Sequence, residues 1–575
     1  MFIKNQNPFR ALWRCIAVSF VMLLTGCAIT PSIPANSYAN KLYPYERSEY
    51  FWIDQSVTRA SFEEINVLSK TDDTTSRLEQ PFIGVALSGG GSRAAFFSLA
   101  VLKELEQEGI LKHVTAISTV SGGSITGAHF ALNYTKFGSN YWSFAHKEML
   151  KSFRDRWIGR YFLPWNVGWS LISDYDRTDV LAKVYDNNLF HGATFGDFGT
   201  SGPNRPAILI NAAKVNNPPF NSSLLSSRLN QGSSSRFSGF TFTMESFSAL
   251  GSDLSKYPVA NAVAASSAFP LVFNPLTLAQ FPPNTLETFV SRKKMKPVPM
   301  GYLHLIDGGV ADNLGVDALI TSAQHHFQKR YLLNGDMTNS CLLILVDSDV
   351  DRRSFQEGLR RDLRKSMRDY LVDDSAVYAF DTLFARRREE TLKSLGINLS
   401  QRDGFEYRRA VSEHEVDLGE NGWSGTPGAL LTNVDQNKSV KSVKCAIWHI
   451  SLNEIYGLNK KGSLAENQTL DYQNKLWAVA NSIKTDLKLT GVGKCSPEFI
   501  ADRISDSARL LVREDLLSRK TVCEWFGNNK AGTPNICNPP NPVSKRSQFD
   551  IYPMNASNNS PATLVTCEQP LEAMQ

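Results

Sequence analysis

Short apolar runs alternate with amphipathic stretches along the chain from residue 82 onward. Residues 82–88 form one such run, which ends in three glycines and therefore predicts a buried parallel strand. Apolar residues then recur at spacings of three and four over 93–108, which predicts a helix that Gly109 ends. Further strands are predicted at 114–120, 207–212, 239–243, 301–306, 341–347 and 445–451, and helices at 257–268, 316–328 and 498–517. This alternation predicts an α/β fold, with helices on both faces of the sheet.

Other segments have different patterns. Residues 214–239 are rich in Asn, Pro, Ser and Gly and predict a long irregular loop. Residues 355–396 predict a helix with one apolar stripe and strongly basic remaining faces. Such a helix can lie on anionic lipid, but we favour packing on the core with a solvated basic face. After about residue 460 the chain turns polar, and its last sixty residues are predicted to be loop-like.

The first 27 residues have the pattern of an export signal. A basic start precedes ten apolar residues at 15–24, a run too short to span a bilayer comfortably. The following Leu24-Thr25-Gly26-Cys27 resembles a bacterial lipobox, which implies cleavage before Cys27 and lipidation of that residue. Residues 28–50 then read as a tether. Because Ala28 rather than Asp follows Cys27, the resemblance favours the outer membrane of a bacterial cell envelope.

Composition narrows the function classes. The chain of 575 residues is 42% hydrophobic and 20% charged, which is typical of a globular protein. Its net charge is +5, and three of the positive charges lie in the export signal, so the remainder carries about +2 and is not expected to bind nucleic acid. Six cysteines remain after Cys15 and Cys27, and an even number in an oxidising compartment suggests disulfides. Cys341 and Cys445 each open an apolar run and are candidates for simple burial, whereas the last four resemble staples of a loop-rich tail.

The first cluster with chemical potential is the glycine loop that follows the first strand. Gly89, Gly90 and Gly91 stand between Ser88 and the predicted helix. Glycines allow the backbone to approach a ligand closely, and the amides at a helix start attract an anion. That anion could be a dinucleotide pyrophosphate or the oxyanion of acyl transfer. A dinucleotide site would need an acid at the end of the second strand, where this sequence has Ser121.

Two further clusters follow predicted strands. Ser121-Gly122-Gly123 comes directly after the second strand, where a sharp turn into a helix would hold the serine hydroxyl clear of the backbone. Asp307-Gly308-Gly309 comes after the strand at 301–306 and would present a carboxylate into an open cleft. A serine hydroxyl needs such a base to become a useful nucleophile. Each pattern alone is more often an ordinary turn.

Together, and in this order, these clusters resemble the patatin-like phospholipase family over residues 82–350. The resemblance also includes the stretch at 264–270. It implies a lipid acyl hydrolase with a three-layer α/β/α core, a mostly parallel central sheet and a Ser–Asp dyad. Carried over by position, it implies the following roles: Ser121 as nucleophile, Asp307 as base, the amides of Gly89, Gly90 and Gly91 as the oxyanion hole, Arg93 as the residue that orders this loop, Gly122 and Gly123 as the elbow, and Gly308 and Gly309 as the acid motif.

Two residues depart from the family pattern, since Thr119 replaces a glycine of the elbow and Ala94 replaces the frequent last glycine of the loop. Neither substitution removes a reacting group. A catalytic triad would require a histidine after the acid. The candidates after Asp307 are His325, His326, His414 and His449. His325 and His326 lie inside a predicted helix, and His449 lies in a predicted strand, where a structural role is favoured. His304 precedes Asp307 in a predicted strand and is also expected to be structural.

The expected substrate is a membrane lipid, and no cofactor, metal or nucleic acid is expected. Aromatic residues at 157–169 suit a membrane interface or an acyl-chain pocket, with core packing as an equal alternative. An acyltransferase with the same dyad and a catalytically idle lipid-binding module are the competing functions. The predicted divisions are a signal at 1–26, a tether and arm at 27–80, a catalytic domain at 81–350, a basic helical insertion with a returning strand at 351–460, and a C-terminal extension at 461–575.

Overall fold

The computed structural model describes the chain between residues 81 and 538 with gaps. The described residues are 81–172, 175–198, 206–216, 239–250, 252, 254–281, 301–334, 341–350, 375–395, 397, 411–416, 443–457, 486–489, 496–514, 516–529 and 534–538. The export signal, Cys27 and the tether lie outside these residues, as do most of the predicted 214–239 loop and the first part of the predicted basic helix.

Nine strands of the described chain form one mixed sheet. They are β1 (Phe82–Leu87), β2 (Ala116–Val120), β3 (Ala207–Lys214), β4 (Gly239–Thr241), β5 (Leu276–Gln280), β6 (Gly301–Asp307), β7 (Cys341–Asp347), β8 (Val411–Val416) and β9 (Val443–Ser451). The order across the sheet is β5-β6-β3-β2-β1-β7-β9-β8, and β4 pairs with β3. The five strands from β3 to β9 in this order are parallel to one another, whereas β4, β5, β6 and β8 pair antiparallel.

The helices of the described chain connect and cover these strands. They are α1 (Gly91–Gln107), α2 (Gly122–Phe137), α3 (Tyr141–Met149), α4 (Phe153–Tyr161), α5 (Pro164–Ile172), α6 (Arg177–Tyr185), α7 (Met244–Ala249), α8 (Val259–Ser266), α9 (Gly309–Asp312), α10 (Val316–Asn334), α11 (Ser375–Ser394), α12 (Pro497–Arg509) and α13 (Leu516–Asn528). Each predicted strand and helix within the described residues is present, with ends shifted by a few positions.

Alternate residues of β1 belong to different cores, which confirms the predicted α/β fold with helices on both faces. Ile83 and Val85 pack in the larger core with α1 and α2. Phe82 and Ala86 point the other way and pack with Leu319 of α10. Since successive side chains of a strand point to opposite faces, a strand that is apolar at every position must be covered on both.

The polar C-terminal region is more ordered than its composition predicts. The predicted helix at 498–517 is interrupted by a π-helical turn at Leu510–Glu514, and α13 follows it in a region that we expected to be loop-like. That expectation is wrong because Val522 and Phe526, one helical turn apart, are both buried in the larger core. Ile500 and Ile504 of α12 are buried in the same core as residues of α1, so this part of the C-terminal region packs on the α/β core.

Disulfides join two pairs of cysteines in the described chain. Cys341 and Cys445 are register partners on the neighbouring strands β7 and β9 and are bonded to each other, so they are not simply buried thiols. Cys523 of α13 is bonded to Cys537, which is a staple of the kind predicted for the tail. Cys495 and Cys567 lie outside the described residues.

Candidate active site

Ser121 occupies a sharp turn between β2 and α2. Its φ is +50° and its ψ is −116°, a strained conformation for a residue with a side chain. The turn requires glycine at the next two positions. A Cβ on Gly122 would lie 2.0 Å from the carbonyl oxygen of Gly91, and one on Gly123 would lie 2.5 Å from that of Leu87. The geometry is therefore that of a nucleophile elbow.

Thr119 is accommodated beneath the elbow by a glycine that the sequence analysis did not single out. A Cβ at Gly127 of α2 would lie 2.4 Å from the methyl carbon of Thr119, so the helix can pass over the threonine only because residue 127 has no side chain. The Thr119 hydroxyl donates to the carbonyl of Leu209 at 3.1 Å and accepts from the Ser124 hydroxyl at 3.0 Å. From near the end of β2, the Thr119 hydroxyl therefore hydrogen-bonds to both β3 and α2.

Asp307 lies beside Ser121. The Ser121 hydroxyl donates to Asp307 Oδ2 at 3.0 Å, and the amide of Gly309 donates to Oδ1 at 2.8 Å. The carboxylate is buried, with a relative exposure of 4%. Burial raises the pKa of Asp307 to about 7, against the smaller opposing effects of the Gly309 amide and the Ser121 hydroxyl. A carboxylate with this pKa is ionised above neutrality and is then a stronger base than an exposed aspartate.

Asp307 ends β6, which runs antiparallel to β2, the strand that precedes Ser121. Asn211 of β3 pairs with Val120 at the end of β2, and β3 continues for three more residues. Strand β6 pairs antiparallel with this projecting part, which sets Asp307 opposite Ala212. Strand β6 therefore approaches from beyond the carboxyl ends of the parallel strands and places Asp307 at those ends.

Residues of the segment 264–270 accept hydrogen bonds from the backbone amides of both Ser121 and Asp307. The Ser121 amide donates to Ser266 Oγ at 2.8 Å, and the Ser266 hydroxyl donates to the carbonyl of Asn211 at 2.6 Å. Two residues further on, the carbonyl of Ala268 accepts from the amide of Asp307 at 3.0 Å. This segment consequently fixes the backbone of the elbow relative to the backbone of the acid.

The glycine loop contacts the elbow directly, but its three amides are not equivalent. The Gly89 amide donates to the carbonyl of Asn313 at 2.9 Å, so it is already engaged and does not match its expected place in an oxyanion hole. Gly90 and Gly91 have φ values of +136° and +60°, which favour glycine. The Gly91 nitrogen lies 2.9 Å from the position that a Cβ of Gly122 would take. The amides of Gly90 and Gly91 are thus the better placed donors for an oxyanion at the start of α1.

Arg93 is buried below this loop and ties it to the end of β7. Its Nε donates to the carbonyl of Ser348 at 2.8 Å, and its guanidinium lies 3.9 Å from Asp349. The Ser348 hydroxyl donates in turn to the carbonyl of Gly89 at 2.8 Å. The path from Arg93 through Ser348 to the glycine loop agrees with an ordering role for Arg93.

A buried ion cluster next to Ser348 was not anticipated from the sequence. Asp347 Oδ2 accepts from Arg388 Nε at 2.7 Å and from His449 Nε2 at 2.9 Å. Burial alone would raise the pKa of Asp347 most strongly, but the Arg388 guanidinium and the His449 hydrogen bond together hold it well below its usual range. His449 is therefore structural, as predicted, and Arg388 shows that α11 packs on the core as we favoured.

Arg388→Met is expected to lower the free energy of unfolding by about 3–5 kcal/mol, because it leaves the Asp347 carboxylate buried without its principal partner. Arg386→Met is the matched control on the same helix, since Arg386 is exposed and bonds Glu390 at 3.0 Å on the surface. The control should leave thermal unfolding nearly unchanged. Equal shifts in Tm for the two variants, followed by circular dichroism, would contradict a stabilising role for the cluster.

A second unanticipated contact comes from the C-terminal extension. The carbonyl of Asp486 accepts from the amide of Ser92 at 2.6 Å, and the side chain of Asp486 pairs with Arg154 of α4. A Cβ on Gly91 would lie 2.5 Å from that same carbonyl oxygen. The short segment Asp486–Leu489 therefore packs against the glycine loop, and the positive φ of Gly91 serves this close approach as well as the turn.

Two of the histidines considered above hydrogen-bond to groups other than Ser121 and Asp307. His304 Nδ1 hydrogen-bonds the hydroxyl of Thr277 at 2.9 Å, and His449 bonds Asp347 as described above. His325 and His326 lie within α10, as predicted. In the part of the chain that the structure describes, no group of three His, Cys, Asp or Glu side chains is arranged to hold a metal ion, and no helix is both long and apolar enough to cross a membrane.

One family model matches part of this chain, and solved structures resemble it at low sequence identity. Residues 85–320 match the family model described as Patatin-like phospholipase. Among solved structures, human GIVD cytosolic phospholipase A2 is similar at 11% identity and a TM-score of 0.38, with 85% of this chain and 65% of that chain covered. Its complex with methyl gamma-linolenyl fluorophosphonate gives 13% identity and a TM-score of 0.37, with 79% and 60% covered. The chain thus spans less than two thirds of these structures' length, and no curated protein matches it significantly.

Proposed function

We propose, from the match of residues 85–320 to the Patatin-like phospholipase family model, that the protein is a membrane-anchored lipid acyl hydrolase that uses Ser121 and Asp307 as a catalytic dyad. The family supports lipid hydrolysis. The observation that carries the dyad is the 3.0 Å hydrogen bond from the Ser121 hydroxyl to Asp307, formed at a strained elbow beside the glycine loop. An idle lipid-binding module has no need for a strained serine bonded to a buried carboxylate.

The proposed reaction begins with proton transfer from the Ser121 hydroxyl to Asp307 as the serine oxygen attacks the ester carbonyl. The oxyanion that forms would accept hydrogen bonds from the amides of Gly90 and Gly91 at the positive end of α1. Asp307 then gives the proton to the departing alcohol, which leaves an acyl group on Ser121. Water, deprotonated by Asp307, attacks this acyl-enzyme, releases the fatty acid and restores the serine.

Purified protein incubated with phospholipid vesicles should release free fatty acid, and a fluorophosphonate should label the protein on serine. Mass spectrometry of the lipid products identifies the ester that is cleaved. If added alcohol captured the acyl group in place of water, the same dyad would be acting as an acyltransferase, because the acyl-enzyme is common to both reactions. Failure of both labelling and turnover would contradict the proposal.

Anchoring through Cys27 rests on the export signal and on the lipobox that precedes this residue. The two disulfides of the described chain support export, since disulfides persist in oxidising compartments and are rare in the bacterial cytosol. More than one acyl chain on Cys27 would give stable attachment, whereas a single chain binds membranes only marginally, with an association constant of about 10⁴ M⁻¹. Such an anchor would keep Ser121 near its lipid substrate.

Cys27→Ser is expected to abolish incorporation of a palmitate analogue in growing bacteria, because it removes the thiol that receives the lipid. The variant should accumulate as an unprocessed precursor or as soluble protein. Its activity on a dispersed ester should survive, since Cys27 is far from the reacting groups in sequence. Ala28→Ser, which keeps the cysteine, is the control. Wild-type protein that takes up no label and fractionates as soluble would overturn the anchor.

A further inference from the structure

Exposed apolar side chains of the described chain concentrate on three segments, namely α4–α5, the loop after α8 and α11. Ten large hydrophobic residues are exposed in the described chain, and seven of them belong to α4 and α5, to the loop after α8, or to α11. We call these seven residues the apolar face: Ile158, Phe162, Trp165, Leu171, Leu271, Val272 and Leu383. Such a concentration marks an interaction site, since scattered exposed residues need no explanation.

The α4–α5 segment contributes the largest side chains. Ile158 and Phe162 are four residues apart and share the outer side of the end of α4, where Phe162 is 68% exposed. Trp165 of α5 is 61% exposed, and residues 161–172 contain no charged residue. An uncharged stretch that presents Trp and Phe is typical of a segment lying at a membrane–water interface.

The loop after α8 presents two more apolar residues, Leu271 and Val272, and begins beside Asp307. Leu271 has a φ of +74°, which is strained for a leucine, yet 54% of it is exposed. Strain of this kind persists where the surroundings impose it, and it clusters at functional sites. Three residues before Leu271, the carbonyl of Ala268 accepts from the amide of Asp307. This loop therefore links the apolar face to the dyad.

Ring contacts hold the two helical segments against this loop. Trp157 of α4 meets Phe273 edge to face, with centroids 5.1 Å apart, and its indole donates to the carbonyl of Arg177. On the other side, Phe384 of α11 meets Phe269 with centroids 5.7 Å apart. The members of the apolar face are thus carried by elements that pack on the loop after α8.

The charge on α4 favours contact with a negatively charged surface. The helix carries three arginines against the single acid Asp155. Arg154 pairs with Asp486 and Asp155, so Arg156 and Arg160 are the cations that count toward a negatively charged surface. Asp155 is held by Lys488 at 2.5 Å, so the acid is neutralised from outside the helix. Cations on the helix that also presents exposed apolar side chains complement the phosphates of anionic lipids.

We infer that the apolar face docks on the surface of an anionic phospholipid bilayer, with Phe162, Trp165 and Leu271 entering the headgroup region, so that the Ser121–Asp307 site opens toward the lipid. This inference rests on the proposed function and adds to it the surface by which the enzyme meets its substrate. A second chain or a protein partner on the same face would be a different occupant, and the experiment distinguishes these cases.

The test compares a Phe162→Ser, Trp165→Ser double variant with Phe137→Ser. Phe137 is also exposed, but it ends α2, about 24 Å along the helix from Ser121 at 1.5 Å per residue, and is the matched control. On vesicles of phosphatidylcholine with phosphatidylglycerol, the double variant should hydrolyse lipid about tenfold more slowly or worse, because two large side chains no longer partition into the interface. On a short-chain ester in solution, both variants should match the wild type.

Equal rates of vesicle hydrolysis for the double variant and the wild type would overturn the docking face. If the wild type hydrolysed neither the vesicle lipid nor the short-chain ester, the proposed function would be overturned instead. Insertion is measured independently of any lipid anchor by fluorescence quenching with brominated phosphatidylcholine. The quenched signal of the wild type should fall in Trp165→Phe, which keeps an aromatic ring at this position. Unchanged quenching, or a wild-type dimer that the double variant dissociates, would assign the face to a protein partner.

Discussion

Ser121→Ala should lower the rate of ester hydrolysis by about 10⁴-fold or more and abolish labelling by a fluorophosphonate, because the substitution removes the hydroxyl that we propose forms the acyl-enzyme. The Ser121 hydroxyl is the group bonded to Asp307, and its backbone is held by Ser266 from below. The substitution removes one hydroxyl from a backbone that Gly122 and Gly123 already constrain, so the fold should persist.

Ser98→Ala is the matched control for this experiment. Ser98 is buried on α1, and its hydroxyl has no hydrogen-bond partner among the described residues. Its removal tests whether the loss of any buried hydroxyl near the core impairs the enzyme. We expect full labelling and full turnover for Ser98→Ala, and unchanged Tm for Ser121→Ala. Labelling of Ser121→Ala to the wild-type extent would show that another residue is the nucleophile.

The parts of the site that could be predicted are those in which local sequence determines local geometry. A strand that is apolar at every position, followed by small residues and then a helix, leaves few conformations for the turn between them. The elbow at Ser121 follows from this rule, since each of its two glycines touches a carbonyl oxygen that a side chain would displace. The disulfide between Cys341 and Cys445 could not be deduced in this way, because its partners are 104 residues apart.

The missed contacts depend on tertiary structure that no spacing encodes. Asp347, Arg388 and His449 are separated by 41 and 61 positions. The pairing of β7 with β9 brings Asp347 and His449 together, and the packing of α11 adds Arg388. Arg388 also shows why composition misleads: in a run of three arginines, Arg386 is on the surface and Arg388 is buried in an ion pair. A basic stretch of sequence does not indicate which of its cations face solvent.

The glycine loop illustrates a different limit. Family resemblance assigns all three amides to one task, yet the Gly89 amide donates to the carbonyl of Asn313, which follows the acid motif in sequence. Asn313 also has its side-chain oxygen 2.3 Å from the position that a Cβ of Gly89 would take. A side chain at residue 89 would therefore displace the Asn313 side chain. The same residue type at three successive positions serves different physical requirements.

Asp307→Asn should reduce hydrolysis by about 10³-fold or more, because asparagine keeps the shape of the side chain but cannot accept the serine proton. For the wild type, kcat/KM on a soluble ester should rise with pH and level off above pH 7. Only the ionised carboxylate is a base, and burial raises the pKa of Asp307 to about 7. His304→Gln, on the same strand but bonded to Thr277, is the control and should keep both the rate and this pH profile.

The same substitution should affect stability in the opposite direction to activity. In the folded protein Asp307 holds its proton up to about pH 7, whereas in the unfolded chain it releases the proton near 3.8. The folded state therefore binds more protons between these values, and the contribution of Asp307 to folding stability falls as pH rises through this range. Asp307→Asn carries no such charge, so its Tm should equal or exceed that of the wild type at pH 8 and converge with it toward pH 4. A variant that is inactive because it is less stable than the wild type at pH 8, or a stable His304→Gln that is equally inactive, would remove Asp307 from the role of sole base.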